Sequence, residues 1–125
     1  MIIEEGKAGQ KVRADRDRIG QVVINLLTNA RKYSPKNSKI IVKVQKNGTH
    51  AIVSVQDFGI GIAKPHQGRI FERFYQVTDV AEKTYPGLGI GLYISSEIVR
   101  RHNGKIWVES QKGKGSTFSF SIPLK

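Results

Sequence analysis

Cysteine is absent from these 125 residues. Disulfides, zinc thiolate sites and thiol nucleophiles are therefore excluded, and a reducing compartment fits the composition. No apolar run approaches the roughly 18 residues of a membrane-spanning helix, and the first residues lack a signal-peptide pattern. The dinucleotide pattern Gly-x-Gly-x-x-Gly is missing, as is the phosphate loop Gly-x4-Gly-Lys-Ser/Thr. Internal repeats, low-complexity tracts and a second domain are also lacking. Acidic residues are scarce, 10 against 21 Lys and Arg, for a formal charge of +11. That balance favours anionic partners: nucleic acid, acidic lipid, nucleotide or an acidic protein. The basic residues are scattered, which also fits a solvated charged surface with only non-specific affinity for nucleic acid.

What is present is globular. Hydrophobic residues make up 38% of the chain, with five Phe and one Trp. The length suits one domain, 1–125, with a single core. Residues 1–10 are weakly patterned, and Lys11 to Ala14 reads as a short strand. Ile19, Val22, Val23, Leu26, Leu27 and Ala30 recur at helical spacing, predicting a helix from Arg16 to Tyr33 that starts after Asp15 and stops at Ser34-Pro35. Strands are expected over Ile40–Lys46 and Ala51–Val55, with Asn47-Gly48 as a hairpin signal. A short helix around Ile70, Phe71 and Phe74 is expected within Pro65–Tyr75, a loop over 76–87, and a second long helix over Leu88–His102 closed by Asn103-Gly104. Lys105–Ser110 and Ser116–Pro123 read as strands joined at Lys112-Gly-Lys-Gly115. The order predicts an α+β fold, a two-layer sandwich with a mixed sheet and helices packed on one face.

Three constellations carry chemistry. Asn25, Asn29 and Lys32 share one face of the first helix. Asn is a poor helix-interior residue because its side chain competes for the backbone. Its amide oxygen is a hard neutral ligand suited to Mg²⁺, and Lys32 can meet a phosphate; the alternative is amides that bridge neighbouring elements. Asp57-Phe-Gly59-Ile-Gly61 follows a strand. Its carboxylate can accept from an exocyclic amine, and its glycines let backbone pass close to a planar ligand; an ordinary turn reads the same way. Gly87-Leu88-Gly89-Ile90-Gly91-Leu92 opens a helix, whose free N–H groups and positive end suit phosphate, as would a hinge.

In this order, the three runs resemble the Bergerat nucleotide-binding fold of the GHKL superfamily. They look most like the catalytic and ATP-binding domain of bacterial sensor histidine kinases. Asp17 to Pro35 matches that family's N box, Asp57 to Gly61 its first glycine box, Phe71-Glu-Arg-Phe74 its F box, and Gly87 to Leu92 its second glycine box. The closing stretches Gly104–Ser110 and Gly115–Pro123 are similar to its terminal hairpin. The resemblance implies that Asn29 holds Mg²⁺ on ATP, Lys32 contacts phosphate and Tyr33 stacks near adenine. Asn29 and Lys32 are the residues it makes catalytic, and Asn25 counts with them in the nucleotide site. Asp57 would accept from the adenine amine, with Ser116 helping through water. Gly59 and Gly61 would shape the base pocket, lined by Ile62 and Leu92. Gly87, Gly89 and Gly91 would let residues 76–87 act as a lid over the phosphates, with Leu88 counted beside them in the nucleotide site. Phe71 and Phe74 would anchor that lid or dock partner helices, and Arg73 would reach the γ-phosphate or simply face solvent.

Position 25 separates the superfamily's members. ATPase and serine-kinase relatives place a Glu there as general base. An amide cannot take that proton, whereas a neutral imidazole needs no such help. The resemblance thus implies phosphoryl transfer from Mg-ATP to histidine. No acceptor is evident: His50-Ala51, His66-Gln67 and His102-Asn103 all lack the acidic residue that usually follows it in the family. The expected partners are ATP, a histidine-bearing dimerisation domain and a downstream response regulator, with no specific nucleic acid and no membrane contact. The expectation is a cytoplasmic domain excised from a larger kinase, itself free to be membrane-anchored, with the family's first strand cut short at Met1 to Glu5. The competing reading is a non-catalytic nucleotide- or nucleic-acid-binding module of the same fold.

Overall fold

The computed structural model describes residues 2–5, 16–35, 38–72 and 91–123. Strand β1 (Ile2–Glu5) precedes helix α1 (Arg16–Tyr33), and the hairpin β2 (Ile40–Asn47) and β3 (His50–Asp57) follows. Then come the short helix α2 (Lys64–Gln67), helix α3 (Gly91–Arg101), and the hairpin β4 (Lys105–Gln111) and β5 (Gly115–Pro123). The five strands form one sheet in the order β1-β2-β3-β5-β4. β1 runs parallel to β2, and every other pair is antiparallel. The expected mixed sheet and α+β class are what the chain adopts.

The sheet's two faces follow from strand alternation. Val42, Val55, Phe118 and Val108 stand in one row across β2, β3, β5 and β4, and Val44, Val53, Phe120 and Ile106 stand in the next. Apart from Val44, these rows meet Val22, Leu26 and Ala30 of α1 and Leu92, Ile98 and Val99 of α3 in one core. The opposite face carries Lys43, Ser54, Ser119 and Trp107 in register, with Ser54 and Ser119 hydroxyls 2.9 Å apart. β5 lies between two strands, so Phe118 and Phe120 are almost fully buried. Asp17 in the first turn of α1 and Arg31 and Lys32 in its last complement the helix dipole.

Some local expectations are corrected. Ile2–Glu5, weakly patterned in sequence but where the resemblance placed the family's first strand, is a strand whose partner β2 lies beyond α1. The β2–β3 loop is Gly48-Thr49 rather than Asn47-Gly48, since Asn47 pairs with His50. Gly48 alone takes positive φ there, the geometry of a turn with Gly at its first central position. α2 ends at Gln67, where Gly68 caps it, so Ile70 and Phe71 enter the core from a turn rather than a helix. Phe71 meets Phe118 edge to face at 6.1 Å. α3 closes as expected: Asn103 has φ +61, its N–H donates to Arg100 O and that of Gly104 to Val99 O. The predicted strand at 11–14, the loop over 76–87 and the Leu88 start of the second helix lie outside the described residues.

The two faces of β5 predict unequal mutational costs. Phe120→Ala should destabilise the chain by about 3–5 kcal/mol through lost transfer energy and a cavity. Ser119→Ala, on the polar face, should cost about 0.5–1.5 kcal/mol for its hydroxyl contact. Urea unfolding of both variants measures the difference.

Candidate functional site

The described candidates converge at one end of the sheet. Ile40, Asp57, Ser116 and Ser110 form its last row on the helix-facing side. The glycine turn after β3 folds back against the end of α1, where Ile60 N–H donates to Tyr33 O at 3.3 Å. Gly59 is tight: a Cβ there would lie 1.9 Å from Tyr33 O. Gly61 has φ +72, and its Cβ would lie 2.1 Å from Gln111 O. These glycines are therefore required by the chain's own close backbone approach, a reason separate from the planar ligand that the sequence suggested.

Asp57 is buried and accepts the Gly59 N–H at 2.9 Å. Burial pushes its carboxyl above the ordinary range, and the backbone N–H groups of Gly59 and Ser116 pull part of that back. Ser110, which the sequence did not single out, organises the neighbourhood. Its hydroxyl accepts the Ile62 N–H at 2.7 Å and donates to the Gly115 carbonyl at 2.9 Å. With its single hydrogen used there, the Ser116 hydroxyl donates to Ser110 across 2.7 Å. Ser116 Oγ is left as an acceptor in the row of Asp57, so the pair presents acceptors to an incoming donor. Gln67 holds the turn from the other side, donating to Ile62 O at 2.8 Å and Ser110 O at 3.0 Å. A polar depression of about 310 Å³ wraps this end of the sheet, lined by Asp57, Ser116 and Ser110 and also by Gln56, Thr117 and Glu109 of the opposite face; no residue of α1 or α3 lines it.

The amide face of α1 divides into two roles. Asn25 Nδ2 donates to Ser95 Oγ at 3.1 Å and Gly91 O at 3.4 Å, bridging α1 to the start of α3. This is the bridging alternative that the sequence left open, and Ser95, fully buried, is the partner it did not disclose. Asn29, one turn on, is 4% exposed, and its Oδ1 is buried with no hydrogen-bond partner among the described residues. An unpaired buried acceptor costs roughly 1–3 kcal/mol. An unmatched amide oxygen of this kind fits a hard cation such as Mg²⁺. Ser34 Oγ is likewise buried and unpaired. Lys32 is exposed, and Tyr33 is half-buried.

Gly91 begins α3, and among the described residues nothing lies within 4 Å of where its Cβ would stand. Leu92 is buried in the core, and Ile62 packs against that core. Gly87, Leu88, Gly89, Arg73 and Phe74 lie outside the described residues. Among the described residues no group of three His, Cys, Asp or Glu could hold a metal. No helix there is long and apolar enough to cross a membrane.

The geometry has close counterparts. The sequence model for "Histidine kinase-, DNA gyrase B-, and HSP90-like ATPase" matches residues 14–125. Sensor histidine kinase WalK of Bacillus subtilis is 40% identical over 116 residues, covering 91% of this chain and 19% of WalK. The chain thus spans a minor part of that relative. The nucleotide-free catalytic domain of histidine kinase ThkA superposes with a TM-score of 0.84 at 35% identity, covering 98% of this chain and 76% of that one. Full-length ShkA in complex with AMPPNP superposes at 0.80 with 28% identity, covering 98% of this chain and 26% of ShkA.

Two outcomes follow from the polar contacts. The raised Asp57 means that the folded state holds this proton more tightly than the unfolded chain. Stability therefore falls as pH rises between the unfolded carboxyl's ordinary value and the raised native one. An Asp57→Asn variant lacks that titration. Urea midpoints measured against pH should shift in favour of the parent, relative to the variant, as the medium is acidified. Asn25→Asp should destabilise by about 1–3 kcal/mol, because a carboxylate would replace the donor facing Gly91 O. Thermal melts at neutral pH check this.

Proposed function

The chain belongs to the histidine kinase-, DNA gyrase B- and HSP90-like ATPase family, and on that premise we propose that it binds Mg²⁺-ATP and passes the γ-phosphoryl group to a histidine on a separate dimerisation domain. A response regulator is the next acceptor in this reading. The observation that carries the nucleotide site is the buried, unpaired Asn29 Oδ1. The choice of histidine over water rests on Asn25, an amide held against α3, where a general base would be needed for hydrolysis.

Asn29 Oδ1 would hold Mg²⁺, which when bound neutralises charge on the phosphates. Lys32, exposed at the end of α1, would meet a phosphate as a point charge. Asp57 and Ser116 would accept from the adenine amine, fixing the base at the sheet's end. Phosphoryl transfer asks the protein chiefly for positioning, and the interlocked turns around Gly59 and Ser110 supply a rigid frame for it. The ShkA–AMPPNP complex supports a nucleotide at this fold. The +11 charge favours a second reading, a binding module for nucleic acid. A salt-dependent shift with DNA and indifference to ATP would select that reading.

Calorimetry should show Mg²⁺-ATP binding, and labelled ATP should transfer its γ-phosphoryl to a separately made histidine-bearing domain. No binding at millimolar ATP would refute the proposal. Asn29→Ala should weaken Mg²⁺-dependent binding by at least roughly tenfold, and unchanged binding would remove the assigned role. The adenine contact needs ionised Asp57. Affinity should therefore fall on acidification through the raised Asp57 titration, and the Asp57→Asn variant should lose that pH dependence.

A further inference from the structure

Among the described residues β4 is an edge strand, hydrogen-bonded to β5 on one side alone. Its outward main-chain groups can be assigned. Ser110 O is taken from outside by Gln67, and Lys105 N–H is directed inward to Ser121 Oγ at 3.3 Å. Antiparallel alternation then turns Val108 and Ile106 outward and Trp107 and Glu109 inward. Because Gln67 occupies the edge at Ser110, the open stretch is Lys105-Ile-Trp-Val-Glu109, whose centre is Trp107.

That stretch is complementary to itself. Turned by a two-fold axis at Trp107, Lys105 falls opposite Glu109 of the second copy, and Ile106 opposite Val108. Lys105 and Glu109 are both exposed, and neither has an ion-pair partner among the described residues. Lys105, Trp107 and Glu109 share the sheet's outer face, so Trp107 would meet its symmetry mate between two opposite-charge pairs. The Ile106 and Val108 N–H and C=O groups would exchange four hydrogen bonds across the axis. We infer that β4 is a self-association edge, joining two copies of this chain through antiparallel β4–β4 pairing centred on Trp107. The pairing is isologous and closes on itself. It also points the two Ser110 ends in opposite directions, leaving each candidate nucleotide site on its own side.

Each copy carries +11, so long-range repulsion opposes the pairing. At about 0.15 M salt the screening length is about 8 Å, which damps that repulsion more than a direct cross-strand contact. Sedimentation velocity across a concentration series of the whole chain should show a weak monomer–dimer equilibrium. The emission of Trp107, the single tryptophan, should change on dilution over the same range. Lys105→Glu should weaken association by about tenfold or more, although it lowers the net charge and general repulsion alone would make it tighter. Glu109→Lys should do the same, and the double exchange should restore association. A chain monomeric at all concentrations, insensitivity to the single exchanges, or a double exchange no better than either single one overturns the inference. Circular dichroism melts matching the parent confirm that the exchanges act at the edge.

Discussion

Tyr33 O accepts the Ile60 N–H at 3.3 Å, and the arrangement of the candidate site depends on this backbone contact. It locks the last turn of α1, which carries the Asn29 and Lys32 end, onto the turn that leaves β3 with Asp57. The Ile60 carbonyl then accepts the Gly113 N–H at 2.7 Å, so the β4–β5 turn is held by the same residue. Three segments distant in sequence are tied through main-chain groups.

This interlock explains why glycines sit where they do. At Gly59 and Gly61 a methyl group would collide with a carbonyl oxygen of the protein itself. A turn that must pass that close to α1 and to β4 admits only hydrogen as side chain. A base lying at the sheet's end would then meet a surface already flattened for structural reasons. Packing alone therefore imposes glycine at both positions.

Much of this was legible in the residues. The apolar period of α1 and the Pro after it bounded the helix at Arg16 and Tyr33, as found. Alternation exposed β2 through β5, although pairing carried several strands a residue or two further than their apolar stretches. Other features depend on distance and register. β1 is four residues long and finds its partner across an intervening helix. Ser110 matters because it falls opposite Ser116, a fact set by the length of the hairpin turn. Asn25 and Asn29 look alike in sequence. Only Ser95 beside Asn25, and the lack of a hydrogen-bond partner for Asn29 Oδ1 among the described residues, separate a brace from an open acceptor.

The brace bears on how such sites diversify. A Glu at position 25 would bring the general base used by the hydrolytic relatives that this chain resembles. It would also place negative charge against the Gly91 carbonyl and remove the donor that Ser95 receives. One codon change would therefore weaken the scaffold before it could improve a new chemistry. Residue 25 and the start of α3 are thus coupled: a carboxylate at position 25 would need a donor where the Gly91 carbonyl now accepts.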